Sequence, residues 1–419
     1  MIDRKNTIDS IAGRRILIIS FSGMTPHLET SLEITKRLSE KNIVSYVHLG
    51  RYVSRPTLYS SHFIKRSFQY KFRVSRAEKY LMNFSKTNPN FSLLESFPVF
   101  KNMLAIYNDT YDPLLFNQYN NVQSLKELNF DNYNIGLGVA STLIANTKDP
   151  NPFPLSKQNQ VEVVENLKSA FRSFIFGKLF LDDNIYDSIV LFNGRFSCEN
   201  AIKEVAIDKG LDIYFHECGG PMPNNRFFFE QYMPQDLDNR KLEISSMNDK
   251  LNEHQIAYLG DLFFQRKTSG DGVYEKSYVH NQYDVLSNDI TSLITKARTK
   301  GSKIISYYTS SDDEFEFLSP SSTRYPHWKS QDLAVKSIVN IIKSLNMFLI
   351  VRFHPNLKNK SKSEQKRWKV LGEYVVQEGF ICIDQFNLES TYELVKQSDL
   401  VISSGSTVGV EAIYLKKPS

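Results

Sequence analysis

The sequence predicts an α/β protein built from two Rossmann-like domains, each with a parallel sheet. Continuous apolar runs alternate with amphipathic helical segments, a pattern typical of parallel sheets whose strands are buried on both faces. This alternation occurs once in each half of the chain, and a polar stretch separates the two runs. A length of 419 residues is enough for two or three domains with their own cores.

The first run belongs to the N-terminal domain, which we predict over residues 1–275. Its predicted elements are, in order, strand 16–20, helix 28–40, strand 43–49, strand 188–192, helix 198–209 and strand 212–215. The segment from about 55 to 180 lacks the alternation and is predicted to be a largely helical insertion.

The second run belongs to the C-terminal domain, predicted over residues 276–419. It follows a polar stretch between about 235 and 290 that has little periodicity. Its strands and helices are predicted in GSKIISYYTS, SQDLAVKSIVNIIKSLN, MFLIVRF, EQKRWKVLGEYVVQEG, FICID, STYELVKQSD, LVISS and STVGVEAIYLKK. Because YLKKPS ends where another strand is expected, we expect this domain to be incomplete.

Charge and cysteine content narrow the function classes. A net charge of +5 is too weak and too dispersed to favour nucleic acid. The three cysteines have no zinc-site spacing and favour a reduced, cytoplasmic setting. The N-terminus lacks the apolar core of a signal peptide, and no apolar run has transmembrane length. Only residues 62–80 concentrate basic and aromatic side chains, which favours either contact with the inner membrane surface or a solvated helix face.

Polar and small residues follow the predicted strands, at the sheet edge where ligands bind in open parallel sheets. In the first half they are Gly23, Thr25, His27, Asn193, Gly194, Arg195 and Glu217. In the second half they are Thr309, Ser310, Ser311, Arg352, His354, Pro355, Ser403, Ser404, Gly405, Ser406 and Thr407. Pro355 prevents its strand from continuing.

The segment SSGSTVGVE, residues 403–411, permits two interpretations. Small residues before a helix let backbone N–H groups approach an anion, and Glu411 could then accept hydrogen bonds from ribose hydroxyls. Alternatively, the segment is a Ser/Thr helix cap followed by an early acidic residue that the helix dipole favours.

The Arg-x-His-Pro motif and this Ser/Gly-rich turn together resemble the donor half of a GT-B glycosyltransferase. They are similar to the capsule polysaccharide synthesis family, which includes bacterial Kdo transferases. LFNGRFSCENAIKEVAIDKGLDIYFHECGG resembles a strand–NGR–helix–strand–(H)E-x-G unit of that family, and FSGMTPHLET resembles its first Gly-containing loop. The resemblance implies two Rossmann-like domains whose parallel sheets face each other across a cleft.

The resemblance also implies roles for the residues at the strand ends. Arg352 and His354 would contact the phosphate of a nucleotide-activated sugar. The remaining donor-side residues would be Thr309, Ser310, Ser311, Pro355, Ser403, Ser404, Gly405, Ser406, Thr407 and Glu411. The opposing, acceptor-side wall would be formed by Gly23, Thr25, Asn193, Gly194 and Arg195.

A general base is needed near the acceptor hydroxyl for inverting transfer. Glu217 is the first candidate and His27 the second. The alternative for Glu217 is a salt bridge to Arg195, and the alternative for His27 is a capping role at the start of a helix.

The predicted function is therefore transfer of a sugar from a nucleotide donor, CMP-activated by analogy, to a glycan or lipid-linked acceptor. The alternatives are a teichoic-acid-type polyol-phosphate transferase and a non-catalytic module that binds nucleotide sugar or glycan. No metal or cofactor is expected, and the acidic segments LDDN and SDDEFE are predicted to be solvated loops. GLGVAS, residues 136–141, lacks the third glycine of a dinucleotide fingerprint.

Overall fold

The computed structural model describes residues 7–21, 26–50, 63–88, 90–94, 119–183, 185–218, 227–269, 285–314, 328 and 330–419. These residues form two compact units, one ending at Lys241 and one beginning at Leu242. The predicted boundary between residues 275 and 276 lies outside the described residues.

The first unit is built on a six-stranded sheet. Its elements are α1 (Thr7–Ser10), β1 (Arg15–Ser20), α2 (His27–Ser39), β2 (Ile43–His48), α3 (Phe63–Thr87), β3 (Phe91–Leu93), α4 (Val122–Lys126), β4 (Asn129–Phe130), β5 (Tyr133–Asn134), α5 (Gly136–Thr147), α6 (Lys157–Asp183), β6 (Ser188–Phe192), α7 (Ser197–Asp208), β7 (Asp212–Cys218) and β8 (Phe227–Glu230). The strand order is β3-β2-β1-β6-β7-β8, with β4 and β5 forming a separate pair. Among the described strands of the large sheet, only β8 runs antiparallel to its neighbour.

Strand β7 is longer than its apolar pattern predicts. It ends at Cys218 rather than Phe215, because β8 pairs with its last residues, from Phe215↔Glu230 to Cys218↔Phe227. Strand β8 itself, FFFE, was not predicted. The extended pairing places Glu217 within the strand, so its backbone is fixed by the sheet.

The described part of residues 55–180, predicted to be a helical insertion, contains four helices and the short strands β3, β4 and β5. Helices α5 and α6 pack with α7 around Val139, Leu167, Phe171, Ile202 and Val205, which are buried in one core. Tight packing between α5 and α7 explains Gly138, where an added Cβ would lie 2.6 Å from the Cβ of Asn200.

The second unit contains a four-stranded sheet that is parallel throughout. Its elements are α9 (Glu253–Ser269), α10 (Asn288–Thr299), β9 (Ile304–Tyr308), α11 (Gln331–Ser344), β10 (Phe348–Arg352), α12 (Lys362–Gln377), β11 (Ile381–Ile383), α13 (Thr391–Gln397), β12 (Leu400–Ser403) and α14 (Val408–Tyr414), with short 3-10 turns at Asp312–Glu314 and Pro355–Asn359. Helix α8 (Leu237–Asn248) spans the division between the units. The strand order is β11-β10-β9-β12.

The apolar strands of the second unit fill two cores. On one sheet face Val351 and Phe353 pack with Trp368 of α12. On the other, Ile350 packs with Leu394 and Ala412. Strands buried from both sides are the physical reason for the continuous apolar runs in the sequence.

The fold class is confirmed: the chain is an α/β protein with two mainly parallel sheets. Helices α8 and α9 lie in the polar stretch for which no elements were predicted. Helix α8 buries none of its side chains, so it lacks the apolar periodicity that would predict a helix. In the described part of the chain, no helix has both the length and the apolar character needed to cross a membrane.

Candidate functional site

The carboxyl ends of three adjacent strands meet at one edge of the second sheet. The strand register places Tyr308 beside Arg352 on one side and beside Ser403 on the other. The Thr309 N–H donates to the Arg352 carbonyl (3.1 Å), and the Ser404 N–H donates to the Tyr308 carbonyl (3.0 Å). The segments that follow β9, β10 and β12 therefore leave the sheet at the same place.

Arg352 is a buried cation at this edge. Only 3% of its surface is exposed, and its Nη1 has no hydrogen-bond partner. Burial lowers the pKa of the guanidinium from its usual value, while Tyr308 and Glu389 oppose that change. An arginine still remains charged at neutral pH, so its unpaired N–H group is suited to an anionic ligand.

Two further buried polar atoms at this edge have no hydrogen-bond partner, Oγ of Ser311 and Oε1 of Glu411. Burial raises the pKa of the Tyr308 hydroxyl. Tyr308 is also close enough to both Arg352 and Glu411 for their charges to act on this hydroxyl. Glu411 also accepts a hydrogen bond from the Tyr392 hydroxyl. The pKa of that hydroxyl is raised mainly by burial and further by the Glu411 carboxylate. Buried polar atoms are normally paired, so these three atoms are available to contact a ligand.

His354 is held in a defined tautomer. The Nδ1 atom of its ring accepts from the Asn356 N–H (3.1 Å), and its backbone N–H donates to Thr309 Oγ1 (2.9 Å). Burial, reinforced by the positive charges of Lys360 and Arg352, lowers the pKa of His354 to about 4. The imidazole is therefore neutral at pH 7 with its proton on Nε2, which makes Nε2 a hydrogen-bond donor.

Thr309, Ser310 and Pro355 have positioning contacts. The Thr309 hydroxyl oxygen accepts a hydrogen bond from the His354 backbone N–H. The Gln331 side-chain amide accepts from the Ser310 N–H (2.9 Å) and donates to the Ser310 carbonyl (3.0 Å). Pro355 begins the 3-10 turn Pro355–Asn359 that follows the strand. These contacts fix the backbone from which Ser311 and His354 project.

The prediction of solvated loops is wrong for Asp312 and Asp313. Asp313 is buried, and the Lys360 Nζ lies 2.7 Å from both of its carboxylate oxygens. Asp312 pairs with Arg367, whose guanidinium also contacts Asp332 and Glu364. The cations come from the residue that follows the Pro355–Asn359 turn and from α12, so no local pattern could reveal them. The side chains of Glu314, Phe315, Glu316, Asp182 and Asp183 lie outside the described residues.

The Ser/Gly-rich turn after β12 combines tight packing with capping. Gly405 has a left-handed φ of +67°, and an added Cβ at Gly409 would collide with Ser403 Oγ. Ser406 Oγ accepts from the Val408 N–H (3.3 Å) at the start of α14. Thr407 is the N-cap residue, but its side chain makes no capping bond.

In the first unit, His27 and Glu217 are brought together. His27 is the first residue of α2, and its Nδ1 lies 3.3 Å from Glu217 Oε1. Its ring packs on Phe192, with centroids 4.4 Å apart. The capping alternative for His27 gains no support, because the N-cap residue is Pro26 and no side chain caps α2. Gly23 and Thr25 lie outside the described residues.

The turn after β6 holds the other side of Glu217. Asn193 (φ +56°) and Gly194 (φ +82°) are both left-handed, and Asn193 Nδ2 donates to Glu217 Oε2 (2.6 Å). A Cβ at Gly194 would collide with the Phe215 ring. The Arg195 guanidinium lies over the Phe196 ring, 4.6 Å from its centroid.

Cys218 is a third member of this cluster that sequence reasoning missed. Its Sγ lies 3.4 Å from Glu217 Oε1, and the donor atoms of His27, Glu217 and Cys218 all lie within 4.8 Å of one another. Burial opposes charge on both His27 and Glu217, yet the neighbouring side chains of the cluster raise the pKa of His27 to about 9 and keep that of Glu217 below its usual value. The residues come from two elements far apart in the chain, so spacing gave no signal.

Comparison with known proteins gives little further information. No protein-family model and no curated protein matches the chain. Two solved structures are similar over 97% of this chain and 78% of their own, each with a TM-score of 0.25: a putative UDP-N-acetylglucosamine 2-epimerase from Listeria monocytogenes (10% identity) and a UDP-N-acetylglucosamine 2-epimerase from Rickettsia bellii (11% identity). Similarity at this TM-score carries no inference about activity.

Proposed function

We propose that the chain is a glycosyltransferase that binds a nucleotide-activated sugar at the carboxyl edge of its second sheet. The observation that carries the proposal is the buried Arg352, whose Nη1 lacks a hydrogen-bond partner at the same sheet edge as Ser311 Oγ and Glu411 Oε1, which also lack one. A cation and a hydroxyl suit a phosphate, and a carboxylate suits the hydroxyls of ribose or sugar.

Arg352 and His354 would serve the chemical step at the donor phosphate. When the bond from the sugar to the phosphate breaks, negative charge grows on the leaving phosphate oxygen. A fixed guanidinium and a neutral imidazole that donates from Nε2 stabilise that charge in a site largely shielded from water. Ser403, Ser404, Gly405, Ser406 and Thr407 are proposed to complete the phosphate contacts, as the resemblance implies.

Glu217 of the first unit is proposed to accept the proton of the acceptor hydroxyl, with His27 as the second candidate. Support comes from the fixed position of the carboxylate, held by Asn193 (2.6 Å) and His27 (3.3 Å). A positioned carboxylate or imidazole in a partly buried site is suited to general-base work. The acceptor is proposed to be a surface glycan or its lipid-linked precursor.

Contact of α3 with the inner-membrane surface from the cytoplasmic side remains part of the proposal. In the described part of α3, Phe72 and Tyr80 are exposed, whereas Val74, Ala77 and Leu81 are buried. Exposed aromatic side chains among basic residues suit a membrane interface.

Nucleotide binding provides the first test. Thermal unfolding is measured with CMP, CDP and UDP for the wild type, for Arg352→Gln and His354→Ala, and for His254→Ala, an exposed histidine of α9 as control. A ligand at 100 times its Kd stabilises the folded state by about 2.7 kcal/mol. We expect stabilisation by at least one nucleotide in the wild type and the control, and its loss in the two site variants. No stabilisation by any nucleotide would refute the donor site.

Transfer is tested separately by mass spectrometry with activated sugars and a lipid-linked or oligosaccharide acceptor. Glu217→Gln should keep nucleotide binding and lose transfer by at least about 100-fold, the usual contribution of general-base catalysis. Transfer of a polyol phosphate in place of a sugar identifies the teichoic-acid-type alternative. Nucleotide binding without transfer or donor hydrolysis identifies the binding module.

A further inference from the structure

We infer that His27, Glu217 and Cys218 form a binding site for a divalent transition-metal ion of the zinc class. The three side chains supply one nitrogen, one oxygen and one sulfur, and their donor atoms lie within 4.8 Å of one another. All three are half-buried, so a cation could enter from solvent and still be shielded after binding. The inference concerns the first unit alone and does not depend on the nucleotide site.

The distances between the donor atoms fit one shared ion. Zinc lies about 2.0–2.3 Å from its ligands in a tetrahedral arrangement, which separates neighbouring ligand atoms by about 3.3–3.7 Å. The two separations that involve Glu217 Oε1 are 3.3 Å to His27 Nδ1 and 3.4 Å to Cys218 Sγ. The cluster could therefore accept zinc with only small movements of its side chains.

The direction of the His27 ring supports the same conclusion. Its Nδ1 is buried and makes no hydrogen bond, although Glu217 Oε1 is only 3.3 Å away. The two atoms are therefore close together but offset from the geometry of a hydrogen bond. Two ligands of one ion show this offset, because each points to the ion between them rather than to the other ligand.

The groups behind the ligands resemble the outer shell of a metal site. Metal-binding carboxylates are usually held by a second hydrogen bond, and Asn193 Nδ2 donates to the distal oxygen of Glu217 (2.6 Å). Asn193 is itself 2% exposed. The His27 ring is held by Phe192, with centroids 4.4 Å apart. These contacts fix two of the three ligands before any ion binds.

The donor set selects the class of ion. Mg²⁺ and Ca²⁺ take oxygen ligands, whereas thiolate and imidazole select zinc and its neighbours in the transition series. Three protein ligands leave one tetrahedral position open, which is the arrangement of catalytic rather than structural zinc sites. An ion here would make Glu217 and His27 ligands, so the metal titration also tests their general-base assignment: a bound ion would replace that assignment and leave the donor site unchanged.

Cobalt(II) is the probe, because it replaces zinc and absorbs light when a thiolate is bound. The full chain is freed of metal with a chelator, and Co²⁺ is then titrated into the wild type and into Cys218→Ser, His27→Gln and Asn193→Gly. Cys382→Ser is the control, because Cys382 is a partly exposed cysteine of the second unit. Circular dichroism checks that each variant is folded.

We expect one equivalent of Co²⁺ with a thiolate charge-transfer band in the wild type and in Cys382→Ser. The band should disappear in Cys218→Ser, and the affinity should fall at least tenfold in His27→Gln and about 10–100-fold in Asn193→Gly. Binding below one-tenth equivalent, or binding that none of the three site variants changes, would overturn the inference.

Zinc-edge X-ray absorption of the zinc-loaded wild type keeps the test decisive if a variant does not fold. One sulfur ligand and two or three nitrogen or oxygen ligands are expected. A first shell without sulfur, or with more than one sulfur, would overturn the proposed site. These outcomes are independent of nucleotide binding, so failure here leaves the donor-site proposal unaffected and the reverse also holds.

Discussion

Replacing Lys360 with methionine should strongly destabilise the second unit. Lys360 Nζ contacts both carboxylate oxygens of Asp313 at 2.7 Å, and the two side chains are only 3% and 9% exposed. Methionine keeps the length of the lysine side chain but removes the charge. The Asp313 carboxylate would then be buried without its cation.

The cost follows from the burial of this pair. Removing one member of a buried ion pair costs about 3–5 kcal/mol, whereas replacing both members with apolar residues is often close to neutral. We therefore expect the free energy of unfolding to fall by about 4 kcal/mol in Lys360→Met. The double variant Asp313→Leu/Lys360→Met should recover most of that loss. Lys396→Met is the control, because Lys396 pairs with Glu393 at the surface and such pairs contribute about 1 kcal/mol or less.

Urea unfolding followed by tryptophan fluorescence provides the measurement. Both tryptophans of the chain, Trp328 and Trp368, belong to the second unit, so the signal reports that unit specifically. With a urea dependence of about 2 kcal/mol per molar, the midpoint should fall by about 2 M in Lys360→Met. A loss below about 1 kcal/mol, or a double variant as unstable as the single one, would refute the argument.

Two further predictions concern pH and backbone strain. The pKa of His354 is about 4 in the folded chain and about 6.5 when unfolded, so the unfolded chain binds the proton first and stability falls as the pH drops through this window. The unfolding free energy, followed by fluorescence, should fall by up to about 3 kcal/mol. His354→Gln should remove this loss, and its persistence in that variant would exclude His354 as its source. Gly194→Ala should lower the free energy of unfolding by more than about 2 kcal/mol, since it combines a left-handed φ with a collision at Phe215. Gly210→Ala is the control: its φ is also left-handed, but an added Cβ would meet nothing within 4 Å, so the loss should be about 1 kcal/mol. Equal melting temperatures for the two variants, measured by circular dichroism, would contradict the collision.

The apolar strands could be predicted because burial on both faces of a parallel sheet leaves a continuous apolar run. Strand β6, Ser188–Phe192, was predicted with its observed bounds. Strand β8 could not be predicted: it is the sheet's edge strand, and its pairing depends on β7. Helix α8 could not be predicted either, since it has no buried face.

The candidate sites were predictable only to the level of strand ends. Parallel strands necessarily deliver the residues after their carboxyl ends to one edge, so Arg352 and His354 could be placed there from sequence. Their partners could not: Thr309 holds the His354 backbone, and the cluster of His27 and Glu217 gains Cys218 only because β7 extends beyond its apolar part. The buried state of Asp313 depends on Lys360, which a different turn supplies.

The buried guanidinium of Arg352, whose Nη1 lacks a hydrogen-bond partner, has a consequence for the stability of the second unit. A buried charge whose hydrogen bonds are incomplete lowers the stability of the unliganded chain, so Arg352→Met should raise the melting temperature of the second unit while it abolishes ligand binding. Selection for stability alone would remove such a residue. We expect a ligand of the proposed donor site to return that stability when it binds.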